Sequence, residues 1–138
     1  MRELTSYLTF DGDCRAAMTF YQRCLGGELS LRPFAGMVPD LPPEAEDRVM
    51  HARLEAGAVA LMASDTLPGM PFVRGTTVSL SVTCESREEI DRLYAALGEG
   101  GTPTMPLHDA FWGARFGMLH DRFGVQWMFN FELGAPPA

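Results

Sequence analysis

The most regular hydrophobic pattern in the chain lies between Phe111 and Phe131 and predicts a β-hairpin. After a predicted turn at Asp121 to Gly124, the side chains alternate with a period of two, which places them on opposite faces of a strand. One face carries Val125, Trp127, Phe129 and Phe131, and the other carries Gln126, Met128 and Asn130. Because Met128 lies in the middle of the second face, we do not expect a solvent face there. The pattern indicates a curved sheet with helices outside and a pocket inside.

The remaining patterns predict more strands and two helices. The strand-like segments occupy Leu4–Phe10, Glu28–Phe34, Arg48–Glu55, Ala58–Ser64, Thr76–Thr83 and Thr102–Leu107. The first helix is expected from Cys14 to Leu25, with Asp13 as its cap. The second helix begins at the capping box Ser86-Arg87-Glu88-Glu89. The proline-rich loop Ala35–Asp47 is long for a small domain and is a candidate lid.

The order of the elements indicates an internal repeat. A shift of 72 residues brings three pairs into register: Leu8 and Leu80, Leu25 and Leu97, and Gly26 and Gly98. Two βαβββ modules are predicted at residues 1–65 and 76–133, with a linker at 66–75 and a frayed tail at 134–138. We expect one α+β domain whose paired modules form a curved, eight-stranded mixed sheet around a cleft.

Composition and charge restrict the partners. The chain has 138 residues and a formal net charge of −7, which argues against nucleic-acid binding because that needs a basic surface. The same charge leaves cationic ligands open. The three cysteines form no CxxC pair and suit a reducing cytosol better than a disulfide framework. No signal segment or membrane-spanning run is present, so we expect a cytoplasmic protein without membrane contact.

Four segments carry a resemblance to a known superfamily. They are Tyr7–Leu29, Val49–Leu54, Leu61–Asp65 and Trp112–Asn130. Together with the order of the elements, they resemble the vicinal oxygen chelate superfamily, which includes glyoxalase I, bleomycin-resistance proteins and extradiol dioxygenases. The hairpin around Trp112 and Trp127 is similar to the PhnB-like, or demethylubiquinone methyltransferase-like, branch. The resemblance implies a homodimer in which the partner chain completes each cleft.

The superfamily binds a divalent metal through four side chains, one from the first and one from the last strand of each half. The resemblance places these positions at Ser6, Leu61 or Met62, Val78 and Met128. None of these side chains is a good ligand for such an ion, which prefers His, Glu, Gln or Asp. We therefore expect no metal in the superfamily position and no other cofactor. Glyoxalase and extradiol dioxygenase activities are correspondingly disfavoured.

Eight residues are predicted to line a mainly apolar pocket: Ser6, Leu8, His51, Leu61, Val78, Trp112, Met128 and Asn130. No catalytic residue is assigned, but His51 is the best candidate, as a pocket hydrogen-bonding group or general base. The alternative is that His51 is a core or interface histidine whose hydrogen bonds are satisfied. Trp112 either stacks on a ligand or does not contact it. Asn130 either binds a ligand or ties strands together, since buried amides need partners. Asp65 is expected to cap a turn.

Three functions are consistent with these residues. The first is a glyoxalase/bleomycin-resistance-like small-molecule-binding protein of the PhnB-like type, with an apolar cleft. The second is a lyase, isomerase or oxygenase of the same superfamily, with a metal held by other residues and His51 as ligand or base. The third is sequestration of a cationic antibiotic by an acidic dimer. The sequence names neither the ligand nor a reaction.

Overall fold

The computed structural model of the protein describes residues 1–134, and residues 135–138 of the predicted tail lie outside that part. The chain folds into two compact units, Met1–Val73 and the part from Arg74 onward. The first unit contains β1 (Ser6–Phe10), α1 (Cys14–Leu25), β2 (Glu28–Pro33), a short 3-10 helix (Pro43–Ala45), β3 (Val49–Ala56) and β4 (Val59–Asp65). The second contains β5 (Leu80–Thr83), α2 (Arg87–Gly98), β6 (Thr102–Ala110), β7 (Ala114–His120) and β8 (Gln126–Glu132). No helix within residues 1–134 is long and apolar enough to cross a membrane.

Both units have the same sheet topology. The strand order is β1-β4-β3-β2 in the first sheet and β5-β8-β7-β6 in the second. In each sheet the first strand runs parallel to the last, and the other neighbours are antiparallel. The predicted pair of βαβββ modules and the α+β fold are therefore confirmed.

Each sheet has one face that packs against the helix of its own unit, which we call the covered face. In the first sheet, this face carries the paired residues Leu54 and Leu61, and both are buried. In the second sheet it carries Trp127 and Phe129, also buried, and the Phe129 ring lies edge-on to Tyr94 of α2 with centroids 5.4 Å apart. The period of two predicted for β8 is thus confirmed. The opposite face of each sheet is the open face.

A buried carboxylate, rather than the predicted Asp13 cap, holds the start of α1. The Asp13 side chain makes no capping hydrogen bond. Instead the backbone N–H groups of Gly12 and Cys14 donate to Asp65 Oδ1, at 2.8 and 3.0 Å, and Val49 N–H donates to Asp65 Oδ2 at 2.8 Å. Asp65 therefore joins the end of β4 to the start of α1 and the start of β3, which extends its expected turn-capping role. In α2 the predicted cap is confirmed, because Glu89 N–H donates to Ser86 Oγ at 3.0 Å.

Strand boundaries differ from the prediction most clearly at β5 and β6. β5 begins at Leu80 rather than Thr76, because among residues 1–134 it pairs with β8 alone and the first paired position is Leu80 opposite Trp127. β6 continues beyond Leu107 to Ala110, because its last residues still pair with β7 up to Ala114. Strand length here is set by how far the partner strand extends. The β-propensities of the strand's own residues carry no information about that partner.

The loop between β2 and β3 is anchored. The 3-10 helix Pro43–Ala45 interrupts it, and the Ala45 side chain is fully buried. Phe34, at the start of the loop, is buried as well, and its N–H donates to the carbonyl oxygen of Arg48 at 3.0 Å. The candidate lid is therefore fixed to the first unit at these points, and its closing over a ligand stays a prediction.

A close backbone approach recurs in both units where the chain enters the second strand of the module. A Cβ at Gly27 would lie 2.1 Å from the carbonyl oxygen of Glu55, and a Cβ at Gly101 would lie 2.2 Å from that of His120. Gly27 also has a φ of +92°. Only glycine lets these segments lie against the neighbouring hairpin.

We expect Gly27→Ala to destabilise the protein by about 1–3 kcal/mol more than Gly57→Ala, because the added methyl must displace backbone. Gly57 is a matched control, since it also has a positive φ, +58°, but a Cβ placed there would meet no atom within 4 Å. Urea unfolding of both variants gives the difference. Equal losses of unfolding free energy would show that backbone conformation, and not the close approach, requires glycine at position 27.

Candidate functional site

The predicted site residue His51 makes a hydrogen bond on the open face of the first sheet. Its Nδ1 lies 3.0 Å from the hydroxyl oxygen of Tyr7, and the two ring centroids are 5.8 Å apart. Tyr7 is on β1 and His51 on β3, so the two side chains meet above β4, which lies between those strands. Tyr7 is half exposed and His51 partly buried, so this pair is accessible. His51 is therefore not a core histidine.

The neighbours of this pair on the open face are mostly polar. Met62 lies opposite Tyr7 in the β1–β4 ladder, and Ser64 is the next residue of β4 on the same face. Arg32 of β2 is the paired partner of His51 and shares its face. Because residues opposite each other in a ladder have side chains on the same side, these groups surround the Tyr7–His51 pair.

The open face of the second sheet is more apolar. Met118 lies opposite Met128, and Phe116 lies opposite Asn130, in the β7–β8 ladder. All four are only partly buried, whereas Trp127 and Phe129 on the covered face are buried. Within residues 1–134 the Asn130 side-chain amide has no hydrogen-bond partner, although its carbonyl oxygen accepts from Cys84 N–H at 2.7 Å. The side chain therefore does not tie strands together here.

Trp112 lies in the turn between β6 and β7 rather than on a strand. Its ring packs edge-on against Phe116 at 5.7 Å and against Phe111 at 5.2 Å. Trp112 is 45% exposed and Phe111 is 90% exposed. Through Phe116, the Trp112 ring is next to the open face, where stacking on a ligand stays a prediction.

The prediction that Ser6, Leu8 and Leu61 share a pocket wall with His51 needs correction. The β1–β4 register pairs Ser6 with Leu61, and Leu61 is buried on the covered face. Since Ser6 and Leu8 follow the same alternation, they face the helix side, opposite to His51. Val78 lies before β5 and is 73% exposed, and its carbonyl oxygen accepts from Gln126 Nε2 at 2.8 Å.

Three of the predicted pocket residues lie on an open face. His51 is on the open face of the first sheet, and Met128 and Asn130 are on that of the second. A common pocket that joins all eight residues stays a prediction.

The sequence prediction missed Tyr7, Arg32, Phe116 and Met118. A signal for Tyr7 was present, because Leu8 and Phe10 are the apolar pair of β1 and therefore mark the covered face. By alternation Tyr7 and Thr9 must point the other way. Arg32 follows from the alternation of Leu29 and Leu31 in β2.

The other two histidines have local partners. His108 Nδ1 lies 2.9 Å from the carbonyl oxygen of Pro106, and the residue is exposed. His120 Nε2 lies 3.1 Å from Gln126 Oε1 across the β7–β8 pair. These contacts give His108 and His120 local roles in the second unit.

The chain's donor groups do not fit the divalent metal of the superfamily. Ser6 and Leu61 are on the covered face, Val78 precedes its strand, and Met128 offers only a thioether. Thioethers prefer soft ions, and Zn²⁺, Mn²⁺ or Fe²⁺ sites use imidazole and carboxylate. Within residues 1–134, no three His, Cys, Asp or Glu side chains are grouped so that they could hold a metal ion.

The fold defines the class of protein. A glyoxalase/bleomycin resistance protein/dioxygenase family enzyme from Burkholderia phytofirmans has a similar structure, with a TM-score of 0.63 and 18% identity over 93% of this chain and 98% of that chain. This similarity concerns the fold alone. It shows that the chain has the fold of that glyoxalase/bleomycin resistance protein/dioxygenase family.

The family within that class follows from sequence. A family model described as 3-demethylubiquinone-9 3-methyltransferase matches residues 2–129, so the chain belongs to this family, the PhnB-like branch. Protein PA1353 from Pseudomonas aeruginosa is 46% identical, with a TM-score of 0.86 over 96% of this chain and 98% of that one. A PhnB protein from Bacillus cereus is 29% identical, with a TM-score of 0.77 over 94% and 99%. Protein YjdN of Escherichia coli K12 is 31% identical over 139 residues, which cover 92% of this chain and 93% of YjdN.

The cysteine thiols are not available as nucleophiles. Cys14, Cys24 and Cys84 are free and buried. Burial, followed by the negative charge of Asp65, raises the pKa of Cys14 to about 12. Burial, followed by the charge of Glu89, raises the pKa of Cys84 to about 11. Both thiols therefore stay protonated at neutral pH, where a thiolate is the reactive form.

Because the Cys14 pKa is raised on folding, its contribution to stability should be complete below its ordinary pKa of 9.0 and lost towards about 12. In that window the unfolded state releases the proton more readily, so the unfolding free energy should fall by up to ~1.4 kcal/mol per pH unit. Urea unfolding at several pH values should show a smaller fall in Cys14→Ala than in the unchanged protein. Rapid reaction of native Cys14 with a thiol reagent at pH 8 would contradict the burial.

Proposed function

We propose that this chain is a small-molecule-binding protein that takes a ligand on an open face of a sheet, without a divalent metal in the superfamily position. The observation that carries the proposal is the open face of the second sheet. There Phe116, Met118 and Met128 are apolar but only partly buried, and the nearby Asn130 amide has no partner within residues 1–134. Ligand sites have this composition, an apolar wall with a few polar groups that fix orientation.

The centre of this face, where Phe116, Met118 and Met128 lie, differs in composition from a solvated sheet face. When one face of an antiparallel sheet is exposed to water, its residues are mainly polar. Met118 and Met128 are adjacent in the ladder, and both have flexible, polarisable side chains that adapt to different ligand shapes. We infer that this face binds apolar groups, with Trp112 at its edge.

The open face of the first sheet offers hydrogen-bonding groups. Tyr7 and His51 are already bonded to each other, so a ligand meets a fixed pair rather than two mobile side chains. A neutral imidazole bonded at Nδ1 can donate from Nε2 when Tyr7 donates, and can accept there when Nδ1 donates. His51 thus orients a ligand, and this role needs no chemical step.

The proposal also includes a cytoplasmic homodimer. The superfamily resemblance supports the dimer, and three buried free cysteines are compatible with a reducing compartment. Methyl transfer is a second candidate because the matching family is described as a methyltransferase. Since that activity needs a methyl donor, S-adenosylmethionine belongs in any panel of ligands tested.

We expect Met128→Glu to weaken binding of the neutral apolar dye Nile red about tenfold or more, because a carboxylate on an apolar wall must be desolvated. Met70→Glu is the control, since Met70 is 51% exposed and lies outside both sheets. Dye fluorescence measures binding, and thermal unfolding checks that both variants are folded. Equal binding by the two variants would contradict a site on this face.

Elemental analysis of the protein purified without chelators should find well under one transition-metal ion per chain. Added Zn²⁺, Mn²⁺ or Ni²⁺ should not raise the melting temperature, because a ligand stabilises only the state that binds it. A tightly bound ion in a one-to-one ratio that is lost in His51→Gln would instead support the metal-dependent lyase, isomerase or oxygenase.

A further inference from the structure

We propose that the ligand is an acid, and that Arg32, His51 and Tyr7 bind its anionic group on the open face of the first sheet. The inference rests on the proposed small-molecule-binding function and names the class of ligand. It differs from the cation-binding alternative that the net charge of −7 left open.

Arg32 supplies the positive charge of the proposed site. It is exposed on β2, is the ladder partner of His51, and makes no ion pair or hydrogen bond with any residue in 1–134. The two neighbouring arginines have acidic partners. Arg48, just before β3, pairs with Asp11 at 3.0 Å, and Arg53 on β3 pairs with Glu55. Arg32 is therefore an unneutralised cation beside a hydrogen-bonded histidine.

Hydrogen-bond donors lie on the same face of the sheet as this charge. The Tyr7 hydroxyl and the His51 ring are bonded to each other above β4. Ser64 and Thr9 are paired in the β1–β4 ladder and share this open face. A guanidinium gives a carboxylate two parallel N–H groups. The Tyr7–His51 pair adds one more donor, which is His51 Nε2–H when Tyr7 donates to Nδ1 and the Tyr7 hydroxyl when Nδ1 donates.

The carboxylates of the first sheet lie away from His51. Among its four strands, the acidic side chains on the open face are Glu55 and its ladder partner Glu28. Glu55 is four residues from His51 along β3, roughly 13 Å at the rise of a strand, and it is paired with Arg53. Asp11, which follows β1, is bonded to Arg48. The strand residues next to His51 are therefore cationic or neutral, and they favour an anion over a cation.

The body of the ligand should be apolar. Met62 lies opposite Tyr7 in the ladder, and the Tyr7 ring is half exposed. An aromatic or aliphatic acid can place its carboxylate at Arg32 and its body along Tyr7 and Met62. An ammonium ligand of the same shape would instead meet the guanidinium of Arg32.

Three probes of one shape test the charge: benzoate, neutral benzamide and cationic benzylammonium. By calorimetry or chemical-shift titration, benzoate should bind about tenfold or more tightly than benzamide, the range for a charge-assisted hydrogen bond, and benzylammonium should bind least. Arg32→Gln should reduce benzoate to the level of benzamide. Arg15→Gln is the matched control, because Arg15 is an exposed arginine on α1 and should leave benzoate binding unchanged.

Tyr7→Phe adds a readout for the orienting bond. It removes only the hydroxyl that bonds His51 Nδ1, so benzoate should bind a few-fold more weakly and the His51 ring resonances should shift. Thermal unfolding shows whether each variant is folded before its binding is compared.

The possible results distinguish failure of the acid site from failure of the proposed small-molecule binding. Equal binding of benzoate and benzamide, or equal losses in Arg32→Gln and Arg15→Gln, would overturn the acid site and leave small-molecule binding in place. Tightest binding by benzylammonium would overturn it in favour of a cationic ligand. If none of the three probes binds and Nile red does not bind either, both the inference and the proposed function are overturned.

Discussion

Each helix can cover only one face of its four-stranded sheet, and this constraint decides which side chains are available to a ligand. The apolar residues of α1 and α2 need a hydrophobic surface, and the strands supply one through a period of two. Once Leu54 and Leu61 pack on the helix side, the alternation leaves His51 and Met62 on the other side. The open face, where we propose that a ligand binds, is thus the side of each sheet that its helix leaves uncovered, and its chemistry differs between the two sheets.

Two buried carboxylates fix the strands that carry these residues. Within residues 1–134, Asp65 and Asp121 are the only buried side chains with a formal charge. Asp65 accepts three backbone N–H groups, one of them from Val49, two residues before His51. Asp121 accepts from the N–H groups of Phe123 and Val125 in the hairpin turn, and from Trp127 Nε1 at 2.8 Å.

These N–H groups stabilise the two carboxylates inside the protein. Hydrogen bonds from N–H groups to a carboxylate are stronger than neutral ones, and they offset the cost of burial. The Asp121 contact also fixes the Trp127 ring on the covered face, which in turn directs Met128 to the open one. The open-face residues are therefore positioned by neighbours that point to the covered face.

Local patterns predicted the elements and the repeat, because strand alternation and helical spacing are properties of short segments. They also predicted that Met128 and Asn130 share a face, because alternation within a single strand determines this. They did not predict the start of β5, because that depends on where β8 offers a partner. The Tyr7–His51 bond joins residues 44 positions apart, so only the strand order brings them together.

The placement of Ser6 failed for a different reason. Superfamily correspondence placed it in the site, whereas the alternation of Leu8 and Phe10 within the same strand placed it towards the helix. Burial of the apolar pair is worth about 25 cal/mol per Å² of surface removed from water, and a shift of one residue would expose both side chains. Burial of Leu8 and Phe10 therefore decides which face Ser6 lies on, and the superfamily correspondence does not.

The burial of Cys14, Cys24 and Cys84 has a practical consequence for chemical labelling of this protein. The sequence contains no lysine, so its side chains offer no amine to electrophiles either. A cysteine engineered at Ser64, for example, would be the one reactive thiol on the folded surface of residues 1–134. A fluorophore or spin label could then be attached at a chosen strand position with the native thiols left intact.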